Sequence, residues 1–526
     1  MGSKPYTLRA PPAAVGHAAP ARAPDGADAT RRQIRGSSLL LAGRMLSLAV
    51  NFVTQVLIVR YLSKSDFGAF AYGLSLVALG ESLAVLGLDK AISRFLPIYD
   101  EQRDYNKLFG TLIMAGGTVL SLGLAFLLLA LGLHGFASGD LGGKGQAVAV
   151  ILICLSPVQA LDDVLMGTFA VLSKPRAIFF RKYVMAPGLR LAAIALIMSS
   201  GSGVRQLATG YVLAGGIGVC FYLVMLVQTM RSSGLLAHLH VRSLDFPARE
   251  VFGFALPLIT VDLLFVVMNS TNVWMLERFG SATDVADYRV VQPAARLNLL
   301  VMTSFTLLFT PLAARLFARG DGNGIRELYW RTAAWIAVFS FPVFALTFAS
   351  AHELTVALFG ARYAGSAPIL ALLALGYYFN AVLGFNGLTL RVYGLVRYVV
   401  VISVGAALAN VAINLLLIPT YGALGAGIGT AATLVLHNVM KQVGLRRGTE
   451  IGFFDREQLR VYGTVAVTIV LLAAVHILLA PGPVVGIALV AVASMLLLWI
   501  TRHTLRVGDT FPELGRVPLL RRLLGS

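Results

Sequence analysis

Apolar residues in this chain run in long unbroken blocks, not in the alternating or one-faced patterns of soluble strands and helices. Fourteen blocks follow one another at 37–60, 66–89, 107–132, 146–172, 182–200, 206–229, 250–276, 287–317, 327–350, 365–391, 397–418, 422–445, 460–479 and 483–503. Each reaches the length needed to cross about 30 Å of hydrocarbon as an α-helix, a conformation that satisfies its own backbone polar groups. The pattern predicts an all-α polytopic membrane protein of about fourteen transmembrane helices.

Composition supports that class. Hydrophobic residues make up 57% of the 526 positions, charged residues only 13%, and the mean hydropathy is +0.78. A soluble chain is about one quarter charged, so there is too little charge here to coat the surface of several soluble domains. Residues 1–36, rich in Ala, Pro and Arg and without an apolar run, predict a disordered cytoplasmic tail, not a signal peptide. Residues 504–526 predict a second cytoplasmic tail.

The 43 Lys and Arg outnumber the 25 Asp and Glu, for a net charge of +18. In a soluble chain that excess would suggest nucleic acid. Here the basic residues sit in short loops between apolar blocks, and the loops on the side of the N-terminus hold roughly four to five times as many as the others. That asymmetry predicts both termini in the cytoplasm and no nucleic-acid partner. Cys154 and Cys220 fall inside apolar blocks and offer neither a disulfide framework nor a metal pair, and His238 and His240 read as a solvated turn. No cofactor, metal or catalytic motif is present.

Sliding the chain on itself by 218 residues places Phe67-Gly68-Ala69-Phe70 on Val285-Ala286-Asp287-Tyr288, Arg60 on Arg278, Asn51 on Asn269 and Arg44 on Asp262. A repeat of six helices enters and leaves on one side, so it predicts two parallel lobes with a path between them. The domain plan is an N-lobe at 37–245, a C-lobe at 246–446 and two extra helices at 447–503.

Ionisable groups inside a bilayer cost at least about 2.5 kcal/mol each and should face a cavity or a partner. Arg44, Ser47, Asn51 and Gln55, spaced by three and four, share one face of the first helix, and Asp262, Asn269 and Asn272 repeat the arrangement in the seventh. Gln292, Arg296 and Thr303 form a stripe in the eighth, and Glu81 and Ser82 lie in the second. Pro257 and Pro293 in helices seven and eight offer bends beside these stripes. Two arrangements are open. Arg44 and Arg296, with Asn51 and Asn269 beside them, bind an anionic group through guanidinium forks while Glu81 or Asp262 carries a coupling ion; or the charges pair as Arg44–Glu81 and Arg296–Asp262. A further pair, Asp162 with Arg190, is expected between helices four and five as a structural bridge.

Three stretches carry a family resemblance: Ile34–Gly43 opening the first helix, Arg60-Tyr61-Leu62-Ser63-Lys64-Ser65-Asp66-Phe67-Gly68 in the first outer turn, and Gly87-Leu88-Asp89-Lys90-Ala91-Ile92-Ser93-Arg94-Phe95-Leu96-Pro97 after the second helix. A weaker echo is Tyr421-Gly422-Ala423-Leu424-Gly425-Ala426-Gly427. With the plan of six, six and two helices, the sequence resembles the polysaccharide transporters (Wzx-like oligosaccharide flippases) of the MATE-like MOP flippase superfamily. The resemblance implies a monomeric bacterial inner-membrane flippase that moves an undecaprenyl-diphosphate-linked oligosaccharide to the periplasmic leaflet by ion-coupled alternating access. It also implies partners in the polysaccharide polymerase and chain-length machinery. By the same resemblance, Arg44 and Arg296 meet the diphosphate and helices thirteen and fourteen form a groove for the lipid tail. The rival of the same fold is a MATE-type multidrug or cation antiporter. A polytopic glycosyltransferase would carry acidic motifs or a sizeable outer domain, and this chain has neither.

Overall fold

A computed structural model describes residues 26–136, 143–172, 175–449 and 451–505. Among them, eleven helical stretches are long and apolar enough to cross a membrane, twelve with one bent pair. In chain order the helices begin with α1 (Ala42–Tyr61), α2 (Lys64–Glu101), α3 (Tyr105–Phe136), α4 (Gln146–Val171), α5 (Arg176–Ser200) and α6 (Val204–Ser232). Next come α7 (Ala248–Phe279), α8 (Ala282–Thr306, bent into Phe309–Ala318) and α9 (Gly322–Phe348).

Helix α10 (Ala361–Val392) is followed by a helical run, Val396–Gly448, of 53 residues. At 1.5 Å per residue that run would be about 80 Å long, far beyond a bilayer. Gly422 breaks it with φ 52° and ψ −129°, a conformation natural only to glycine. It therefore holds two crossings, α11 (396–421) and α12 (423–448). Two more, α13 (Gln458–Leu479) and α14 (Pro483–Leu505), follow, and each of the predicted blocks falls on a helix among the described residues.

Two expectations shift. The helix containing α1 starts at Gly26, so 26–36 of the expected tail is helical; beyond Pro24 the run Ala-Asp-Ala-Thr-Arg-Arg-Gln-Ile-Arg holds no helix breaker. Residues 1–25 and 506–526 lie outside the described residues. The second block, read as ending at 89, continues to Glu101: α2 turns at Leu86 and Gly87, both left-handed, and resumes as Leu88–Glu101.

The 218-residue repeat has a local structural signature. Ser63 accepts a hydrogen bond from the Asp66 backbone N–H at 3.1 Å and donates to its carboxylate at 2.7 Å. Ser281, 218 residues on, does the same with Asp284 at 3.3 and 2.6 Å. Each pair is a capping device that starts the second helix of its half.

Packing divides the helices into two compact units, one ending at Ala286 and the other beginning at Asp287. In the first, α7 packs on α2, and Trp274 donates to Ser75 Oγ at 3.0 Å. A Cβ on Gly68 would collide with the Ala282 carbonyl, so glycine sets that approach. Its core joins Leu88, Ile92, Leu96, Val119 and Val251, with a second cluster around stacked Phe169 and Tyr222, 4.7 Å apart. In the second unit Phe309 stacks on Phe385 at 4.3 Å and Phe344 on Tyr378 at 4.1 Å, and α13 and α14 pack on α9. The outward residues are apolar: Leu416 is 75% and Ile477 81% exposed, which suits contact with lipid tails.

Candidate functional site: intramembrane charge clusters

In the first unit α1 packs chiefly against α5. Gly43 permits this, since a Cβ there would lie 2.6 Å from Phe179 and 2.7 Å from Tyr183. The expected polar stripe forms: Asn51 Nδ2 donates to Ser47 Oγ at 3.1 Å. Arg44, on the same face, is exposed and has no ion pair among the described residues. The alternative bridge from Arg44 to Glu81 is not made.

Glu81 has another partner. Its carboxyl lies beside that of Asp163 on α4. Asp162 turns instead to Arg181, whose Nη2 stands 2.7 Å from its Oδ1. The sequence reading paired Asp162 with Arg190, and the structure corrects it. Arg181 lies in a π-helical stretch of α5, Phe179–Met185, and is buried, whereas Arg190 lies further along and sits over the Tyr211 ring at 5.9 Å. Arg181 is fixed on three sides: Asp162, the Gly218 carbonyl at 3.0 Å and the Tyr222 face at 5.6 Å. A Cβ on Gly218 would collide with the guanidinium.

The second unit holds a cationic cluster. Arg289, Gln292 and Arg296 lie at i, i+3 and i+7 on one face of α8. Arg289 Nη1 donates to Gln292 Oε1 at 3.0 Å, and Arg296 Nε donates to the Tyr377 hydroxyl of α10 at 3.2 Å. Arg289 is not among the residues that the polar stripes single out; its seven-residue spacing from Arg296 was the available signal. Below them Asn298 is tied to the Ala295 carbonyl at 2.9 Å and to Thr347 at 3.1 Å. Asp262 and Asn269 lie on α7, but their side chains are outside the described ones.

Among the described residues no three His, Cys, Asp or Glu side chains converge on a metal-sized site. His238 stacks on Tyr105 at 4.4 Å, and His240 Nδ1 lies 3.2 Å from the His238 carbonyl, so the pair makes a turn.

Long apolar helices carrying buried carboxyl and guanidinium groups define a polytopic membrane protein. Solved structures of similar fold include the lipid II flippase MurJ in an inward closed conformation (TM-score 0.66, 12% identity, 90% of this chain and 99% of that one). Another is an inward-facing multidrug resistance MATE family transporter of the MOP superfamily (TM-score 0.62, 15% identity, 76% and 94%). In sequence the chain is 24% identical over 323 residues to the lipid II flippase MurJ of Bacillus subtilis, a match spanning 55% of this chain and 59% of that protein. It is 21% identical over 422 residues to a membrane protein of Methanocaldococcus jannaschii, covering 76% of this chain and 81% of the other. The profile of the polysaccharide biosynthesis protein family matches residues 57–368. The chain belongs to that family.

Proposed function

We propose that the protein flips an undecaprenyl-diphosphate-linked oligosaccharide from the cytoplasmic to the periplasmic leaflet of a bacterial inner membrane. The observation that carries this reading is the pair of arginines on one face of α8, with Tyr377 orienting the second. A membrane-embedded cationic face is costly and suits an anionic cargo. Guanidinium forks match phosphate oxygens. A sugar-diphosphate head cannot enter hydrocarbon, while its polyprenyl tail can remain there. Arg44, exposed on α1 with Asn51 two turns further along the same helix, is a separate candidate cation of the first unit.

The neighbouring carboxyls of Glu81 and Asp163 are the first coupling candidate, with a proton bound between them as the coupling ion. Losing it would leave two like charges side by side, a change able to bias packing between α2 and α4. Asp262 is the second coupling candidate and Asn269 the remaining polar contact, both on α7. The excess of basic residues in the loops on the side of the N-terminus supports cytoplasmic termini. The outward apolar faces of α13 and α14 suit a lipid tail. Polymerase and chain-length machinery are the expected recipients of the product.

Depletion in the native cell tests the reading. Completed lipid-linked oligosaccharide should accumulate on the cytoplasmic leaflet while surface glycan disappears. Unchanged glycan together with new sensitivity to cationic dyes would replace it with the multidrug-antiporter reading.

A further inference from the structure

A cavity of about 550 Å³ opens in the first unit, where the last turns of α2 meet the starts of α3 and α7. It is lined by Arg94, Phe95, Tyr99, Lys107, Glu250 and Phe254. It is separate from the intramembrane clusters and contains Arg94 and Phe95 of the stretch after the second helix. We infer that this cavity is a docking site for a phosphorylated sugar headgroup, where the cargo is held before it enters the transport path. The inference rests on the proposed flippase function and on a cytoplasmic N-terminus, which puts these helix ends on the cytoplasmic side.

The lining selects that chemistry. Phe95 meets Phe254 edge-on at 5.7 Å and stacks on Tyr99 at 6.0 Å, giving an aromatic wall. Arg94 lies over Phe254 at 4.4 Å and over Phe95 at 5.6 Å, is exposed, and has no ion pair among the described residues. A guanidinium stacked by its face keeps its N–H edge available for an in-plane acceptor such as phosphate. Lys107 stands 6.0 Å from the Tyr99 ring and 3.6 Å from Asp104, a half-exposed pair that a phosphate can reorganise.

Glu250 is the selective element. One of its oxygens accepts from the Tyr99 hydroxyl at 3.0 Å, which fixes the carboxylate at the cavity rim. A carboxylate repels a bare anion but accepts hydrogen bonds from sugar hydroxyls. A neutral glycan would leave Arg94 unused. A phosphate bearing a sugar uses both, and the volume falls within the usual range for small-molecule sites. An anionic phospholipid such as phosphatidylglycerol shares the phosphate and hydroxyl chemistry, so the test includes it.

The full chain would be placed in phosphatidylcholine nanodiscs and titrated with farnesyl-diphosphate-N-acetylglucosamine, farnesyl diphosphate and a short-chain phosphatidylglycerol. Arg94→Gln should weaken both diphosphates by about 10- to 100-fold, the loss of a charge-assisted hydrogen bond. Glu250→Gln should weaken the sugar-bearing probe alone. If Arg94→Gln does not fold, Arg94→Lys carries the test, since it keeps the charge and loses the fork. Affinities unchanged in both variants would overturn the site. Phosphatidylglycerol binding as tightly as the sugar probe would also overturn it, by making the cavity a phospholipid site.

Flipping of the sugar probe, read in proteoliposomes, separates the two failures. A wild-type chain that binds with the expected variant losses but does not flip would retire the flippase reading and leave the site standing. A wild-type chain that flips, with Arg94→Gln flipping and binding equally well, would retire the site and leave the reading intact.

Discussion

Arg181 Nη2 stands 2.7 Å from Asp162 Oδ1, while the adjacent Asp163 neighbours Glu81. Two neighbouring aspartates thus serve two separate pairings, one with a guanidinium and one with a carboxyl. The Arg181–Asp162 contact joins α5 to α4 and is held rigid by the Gly218 carbonyl. Its role is structural.

Arg181→Leu should therefore lower stability by about 2–3 kcal/mol, because Asp162 is left half-buried without its cation. The double variant Arg181→Leu/Asp162→Leu should recover part of that loss, since removing both charges removes the desolvation penalty. Thermal unfolding of the four proteins in one detergent forms the cycle. An additive double variant would mean the two side chains do not interact.

The Glu81–Asp163 pair makes a different prediction. Glu81→Gln keeps a donor and an acceptor toward Asp163 but removes the exchangeable proton. The protein should insert and melt close to wild type, yet transport in proteoliposomes should lose its response to an imposed pH gradient. Asp163→Asn should behave alike. Retained gradient dependence in both would move the coupling site elsewhere, with Asp262 the next candidate.

Most of the fold was legible because a bilayer leaves few options. A block of apolar residues that long has one way to satisfy its backbone, so each predicted block falls on a helix among the described residues. Ends were less legible: Leu88–Glu101 carries Asp89, Lys90 and Arg94 yet stays helical, since Leu88, Ile92 and Leu96 bury one face against the first unit's core. Charge pairing was least legible. Periodicity places Asp162 and Arg181 on their own helices, but the π-helical stretch that turns Arg181 inward has no 3.6-residue signature. Arg289 was readable only from its spacing to Arg296.

The matching caps at Ser63 and Ser281 can be tested as a pair. Ser63→Ala and Ser281→Ala should each destabilise by about 1 kcal/mol, the usual value of a lost N-cap. Because the two sites sit at equivalent positions of the repeat, the losses should be similar and additive. Urea or thermal unfolding would show it. A loss at one site alone would mean that only one half still depends on its cap.

Glycine at position 68 carries a sharper demand. Its Cα faces the Ala282 carbonyl with no room for a side chain. Gly68→Val should force α2 away from the start of α8, at a cost of about 1–3 kcal/mol for an overpacked contact, and should lower the amount of protein recovered from membranes. Gly116→Ala, at a helix position where a Cβ meets nothing within 4 Å, is the control and should leave recovery unchanged. Equal recovery of both variants would show that the approach at Gly68 can relax.

The cationic residues allow function to be separated from folding. Arg44 is exposed and makes no ion pair among the described residues, so Arg44→Ala should leave the melting temperature unchanged. Arg296 donates to the Tyr377 hydroxyl, a hydrogen bond worth about 1 kcal/mol, and Arg296→Ala should still fold. Both variants should reach the membrane and abolish glycan export. Arg289→Gln should weaken export without abolishing it, because Gln292 already occupies part of its donor set. Arg296→Lys discriminates charge from geometry: a point charge keeps attraction to phosphate and loses the bidentate fork, so partial export is expected. Export rates measured with protein level and melting temperature would decide the matter. Normal export in Arg44→Ala and Arg296→Ala would remove both residues from the site and take the anionic-cargo argument with them.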